Sequence, residues 1–71
     1  MMNQTLGSRI AELRRKKNMT QEELAAELGV TPQAVSKWES GASDPSTSNL
    51  LALAKLYGVS AEDLLREAAG E

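Results

Sequence analysis

Gln33, Ser36 and Lys37 are spaced i, i+3, i+4, so on a helix they share one face and present an amide, a hydroxyl and an ammonium together. These groups suit recognition rather than bond-making. A glutamine amide pairs with both the N6 and N7 positions of adenine, a lysine donates to O6 and N7 of guanine, and a serine hydroxyl serves either. Gln21 lies at the expected start of the preceding helix, where free backbone amides and the positive dipole end favour an anion such as a phosphate. Four consecutive cations, Arg14, Arg15, Lys16 and Lys17, close the first helical segment. They suit phosphate contact, and equally a solvated helix end favourable to the dipole. The chain contains no histidine and no cysteine, and its carboxylates form no recognisable catalytic spacing. No enzyme, metal site or cofactor is therefore expected.

The elements that must hold these groups can be placed from local signals. Leu6, Ile10 and Leu13 mark one apolar face of a first helix over about Thr5 to Lys17, which Asn18 interrupts. Thr20 and Glu23 form a capping box, flanked by Met19 and Leu24 at the positions of a hydrophobic staple. Val30 and Val35 repeat the staple around Thr31, with Pro32 at the first helical position, where a missing N–H costs nothing. Val59 and Leu64 do so again around Ser60, with Asp63 in the first turn. Gly29, Gly41 and Gly58 each follow an apolar-periodic run and supply helix ends. The fourth helix is expected over Thr47–Tyr57 and the fifth over Ala61–Ala68. With no strand-like alternation anywhere, the fold class is all-α, a compact five-helix bundle over 5–68, with 1–4 and 69–71 as flexible termini.

At about 100° per residue, Ala34, Val35 and Trp38 fall on the side of the third helix opposite Gln33, Ser36, Lys37 and Ser40. Trp38 therefore belongs to the core and not to a base-stacking surface. A polar outer face is what any surface helix has, so the face alone leaves a solvated reading open beside a groove-reading one. The preceding helix shifts that balance: Gln21 at its start, small Ala25 where the helices must cross closely, and Gly29 for the sharp reversal are the parts of a helix-turn-helix. Leu51 and Leu56 lie on opposite flanks of the fourth helix's apolar face, formed by Leu50, Leu53, Ala54 and Tyr57; either one of them is surplus to the core and open to a partner subunit, or all are buried in the monomer.

The 71 residues allow one small domain, and 41% hydrophobic with 25% charged residues is the balance of a folded chain. No stretch approaches the roughly 18 apolar residues of a membrane span, and the N-terminus lacks the regions of a signal peptide, so a cytoplasmic protein is expected. The net charge of −2 argues mildly against nucleic acid. What counts is its distribution, because phosphate neutralisation is local. The cations gather at Arg14–Lys17, while Glu62, Asp63, Glu67 and Glu71 crowd the C-terminus.

The run T-Q-E-E-L-A-A-E-L-G-V-T-P-Q-A-V-S-K-W-E-S-G at 20–41, followed by Pro45, Leu50, Leu53-Ala54 and Gly58-Val59-Ser60, resembles the Cro and phage-repressor type of helix-turn-helix. The resemblance extends over about Leu6 to Leu65. It implies a lambda-repressor-like bundle in which helices two and three form the helix-turn-helix and helix three, about 32–40, enters the major groove. It further implies a homodimer on a pseudo-palindromic duplex operator, base contacts from Pro32, Gln33, Ser36 and Lys37, a phosphate contact from Gln21 that also supports the recognition helix, and a structural ion pair between Arg14 and Glu39. The chain departs from the family at Pro32, which offers apolar contact only, and in the loop Ala42-Ser43-Asp44, whose carboxylate would repel a phosphate. Backbone contacts then fall to Gln21, Lys16, Lys17, Thr47 and Ser48. A small repressor that senses no small-molecule ligand is the leading expectation, with dimerisation through helix five or the flank of helix four. The alternative is a protein-interaction module on the same fold, such as an antitoxin or adaptor.

Overall fold

Helices of eight to eleven residues are too short to persist alone in water, so each of the five needs both a cap and a core. The computed structural model describes residues 5–68; the segments 1–4 and 69–71, expected to be flexible termini, lie outside the described residues. It contains α1 (Leu6–Lys16), α2 (Gln21–Leu28), α3 (Pro32–Ser40), α4 (Thr47–Tyr57) and α5 (Ala61–Ala68), and no strand among the described residues. No described helix is long and apolar enough to cross a membrane.

Every start is capped by a hydroxyl. Thr20 Oγ1 accepts from the Glu23 amide at 3.0 Å, and the Glu23 carboxylate accepts from the Thr20 amide at 2.8 Å. Thr31 accepts from Ala34, Ser46 from Asn49 and Ser60 from Asp63. Two of these caps were not anticipated, Ser46 before α4 and one at α1: Thr5 and Ser8 exchange side-chain and backbone hydrogen bonds, so Thr5 precedes the helix and Lys17 closes it. A serine in place of the usual Glu or Gln hides this box from the sequence.

The ends share one device. In each of α1 to α4 an amide reaches back five residues to a carbonyl, as in Met19 N to Arg14 O and Val30 N to Ala25 O. This needs a left-handed residue, which is Gly29 at φ 72° after α2 but Asn18 at φ 58° after α1. Asparagine tolerates that conformation better than other residues with a β-carbon.

Ile10, Leu13, Leu24, Ala25, Val35, Trp38, Leu53, Ala54, Tyr57 and Leu64 form the core. Burying each leucine or isoleucine is worth about 1.5–3 kcal/mol. α3 packs against α1 and α2, while α5 packs against α1 and α4, so the outer face of α3 is left to solvent. Of the two flank leucines, Leu51 is 57% exposed and Leu56 packs against the core; on α5, Leu64 is buried and Leu65 is 48% exposed.

Gly7 controls how closely α1 approaches α3. A β-carbon there would overlap the Trp38 carbonyl oxygen and lie 2.9 Å from that of Glu39. The approach depends on residues far away in the chain, and no local signal announces it.

Candidate nucleic-acid interface

α3 is fixed on one side and open on the other. Val35 and Trp38 are buried and Ala34 is half-buried, whereas Pro32, Gln33, Ser36, Lys37 and Ser40 are all exposed. Pro32 occupies the first helical position. It has no N–H to leave unsatisfied, and its ring pre-sets the backbone for the helix. Val30 is half-buried against the core and, with Gly29 at φ 72°, sets the direction in which α3 leaves α2. The structure thus brings Gln33, Ser36 and Lys37 together on a rigid outward face, with Pro32 at its leading end.

The expected backbone-contacting residues come from three different elements. Lys16 and Lys17 are exposed at the end of α1, and Thr47 and Ser48 are exposed in the first turn of α4, which contains no acidic residue. Asp44, just before that turn, is exposed as well. Gln21 is half-buried at the first position of α2, beside a cleft of about 430 Å³ lined by Arg14, Met19, Thr20, Gln21 and Glu22.

Behind this surface lies a polar cluster denser than the sequence suggests. Arg14 Nε donates to Glu39 Oε2 at 2.7 Å and Arg14 Nη2 to Oε1 at 3.2 Å, a two-pronged pair with side chains only 14% and 9% exposed. The third prong, Arg14 Nη1, donates to the Met19 carbonyl at 2.8 Å, tying down the turn that enters α2. Gln21 Nε2 also donates to Glu39 Oε1, at 2.9 Å. The sequence thus missed the contact of Arg14 with Met19, and it gave Gln21 a supporting role towards α3 without naming Glu39 as the partner. The first is to a backbone atom, and the second spans a helix crossing, so neither has a spacing that could be read. The hydrogen bonds that Arg14 donates to Glu39, together with the negative charge of that carboxylate, hold the guanidinium proton even more tightly than usual, outweighing the opposing effect of burial.

Tyr57 closes the inner side of this cluster, its hydroxyl 4.0 Å from Met19 Sδ. Burial raises its pKa, with Arg14 opposing and Glu39 reinforcing the shift. Because the folded-state value is raised, the stability associated with the neutral phenol is intact below the ordinary tyrosine value of about 10 and falls as pH rises beyond it. Denaturation followed from pH 8 to 11 should show an alkaline loss that Tyr57→Phe reduces; an unchanged slope in that variant would assign the loss to other groups.

A profile described as helix-turn-helix matches residues 10–64. Among curated proteins, the chain is 42% identical over 57 residues to the HTH-type transcriptional activator BcrR of Enterococcus faecalis, covering 80% of this chain. It is 38% identical over 66 residues to repressor protein C2 of Salmonella phage P22, covering 93% of this chain. It spans only 28% of the length of the former and 31% of the latter. Among solved structures, the P22 c2 repressor in complex with a synthetic operator superimposes with a TM-score of 0.85 at 38% identity, over 90% of this chain and 97% of that one. SinR, a Bacillus subtilis protein seen in complex with DNA, gives a TM-score of 0.78 at 31% identity, over 86% of this chain and 98% of that one.

Proposed function

The chain belongs to the helix-turn-helix family, of the Cro and phage-repressor type, and on that footing we propose that it is a sequence-specific regulator of transcription. Residues 5–68 form its DNA-binding domain, inserting α3 into the major groove of a duplex operator and acting as a small repressor. The observation that carries this reading is the outward face of α3. Gln33, Ser36 and Lys37 stand exposed on a helix whose opposite side is anchored by Val35 and Trp38, so reading groups are held at fixed spacing. Gln33 and Lys37 discriminate bases, Ser36 and Pro32 add secondary contacts, and Gln21, Lys16, Lys17, Thr47 and Ser48 address phosphates.

The protein acts as a homodimer on a pseudo-palindromic site, with exposed Leu51 and Leu65 supporting contacts through the flank of α4 or through α5. It works in the cytoplasm by occupying its site. Asp44 beside the α4 start limits the attraction to phosphate and weakens binding, while the phosphate contacts from Lys16 and Lys17 make that binding salt-sensitive.

Selection from random duplexes, followed by gel retardation, tests this reading. A recurring pair of half-sites is expected. Protein that retards no duplex at low salt but retains a cellular protein would favour the interaction-module alternative. On the selected duplex, Lys37→Ala should cost about 1–3 kcal/mol and relax preference at one base pair. Equal loss on all sequences would make Lys37 a phosphate contact.

A further inference from the structure

We propose that Glu39 is a positioning residue for DNA binding, holding the Gln21 amide in the orientation that meets a phosphate. The proposal rests on the DNA-binding reading above. Glu39 receives three hydrogen bonds, two from Arg14 on α1 and one from Gln21 on α2. A carboxylate only accepts, so the nitrogen of the Gln21 amide, and not its oxygen, faces Glu39. That nitrogen carries two hydrogens. One is committed to Glu39, which leaves the second for an anion at the cleft where Gln21 sits. With the amide reversed, its oxygen would replace a donor at that position.

The pairing with Arg14 is what makes this tolerable next to a phosphate. Unpaired, Glu39 would repel the anion; forked onto Arg14, it forms a locally neutral unit. Arg14 also grips the Met19 carbonyl, so the guanidinium that pairs with Glu39 holds the turn into α2 as well, while Glu39 holds Gln21. Gln21 is thereby ordered before DNA arrives, and less side-chain freedom is lost on binding.

The role predicts an effect opposite in sign to simple electrostatics. Glu39→Gln removes a negative charge close to DNA, which alone would tighten binding and steepen its salt dependence. The positioning role instead predicts weaker binding, by about fivefold in an otherwise unchanged protein and by less than about twofold in a Gln21→Ala background. The affinities of E39Q, Q21A and the double variant should be measured on the selected duplex at low temperature, alongside their thermal unfolding.

Arg14→Lys provides the fold control, since it disturbs the same ion pair while leaving the carboxylate to Gln21. Adding Gln21→Ala to R14K should still weaken binding as it does in the parent. An equal E39Q loss with and without Gln21 overturns the proposal and reduces Glu39 to a scaffold role. Tighter binding by E39Q overturns it in favour of charge alone. A wild-type protein that retards no duplex overturns the DNA-binding reading itself, and the positioning role with it.

Discussion

Gly7→Ala is expected to destabilise the domain by about 3 kcal/mol, the upper part of the range for overpacking a filled site. At an ordinary helix-interior position the same substitution would stabilise by about 0.5–1 kcal/mol. The reversal of sign comes from what the methyl meets. The obstacles at Gly7 are the carbonyl oxygens of Trp38 and Glu39, which belong to the α3 backbone and cannot rotate aside as a side chain would. Either α1 moves outward, opening the core around Ile10, or the last turn of α3 deforms. Small domains have total stabilities near 5 kcal/mol, and each kcal/mol shifts the midpoint of a domain this size by about 4–8 °C. A fall of more than 10 °C should result, with the urea midpoint lowered and its slope unchanged. A variant as stable as the parent would mean that α1 and α3 are not packed so closely. Displacing α1 also draws Arg14 away from Glu39, so DNA affinity should fall with stability, although no reading residue has changed.

The contrast between Gly7 and Gly29 shows which parts of this protein are legible in its sequence. Gly29 follows an apolar run and precedes a cap, so its left-handed role can be read from its neighbours. Gly7 lies inside a helical segment, and its reason for being a glycine sits on another helix. The same division applies to the hydroxyl caps. Thr20, Thr31 and Ser60 are visible because their partners lie three residues on, while Thr5 was missed only because Ser8 is an unusual partner. At the candidate interface, helical periodicity was enough to put Gln33, Ser36 and Lys37 on one exposed face. Periodicity cannot say that the Gln21 amide is held by Glu39, because that contact exists only once α2 and α3 have crossed. The charge sum is silent about this cluster for a related reason: Arg14 and Glu39 cancel in it whether or not they meet, and only the fold puts them 2.7 Å apart.

Arg14→Met should cost about 3 kcal/mol, the lower end of the range for removing one partner of a buried pair. The lower end applies because Arg14 and Glu39 retain 14% and 9% exposure, so water relieves part of the penalty. The loss would come less from the attraction forfeited than from what remains: a carboxylate largely out of water with only Gln21 to serve it, and a Met19 carbonyl without its donor. The double variant Arg14→Met with Glu39→Met separates these contributions. Replacing a buried pair by apolar side chains of similar volume is commonly neutral or stabilising, so the double variant should recover most of the stability lost by the single one, less the cost of the orphaned Met19 carbonyl. Thermal or urea denaturation of both variants decides the matter, and a double variant no more stable than the single one would show that the pair itself holds α1 to α3. Recovery of stability without recovery of DNA affinity would be the informative combination. It would mean that this polar cluster exists to orient the start of α2, a task that apolar packing can stabilise around but cannot perform.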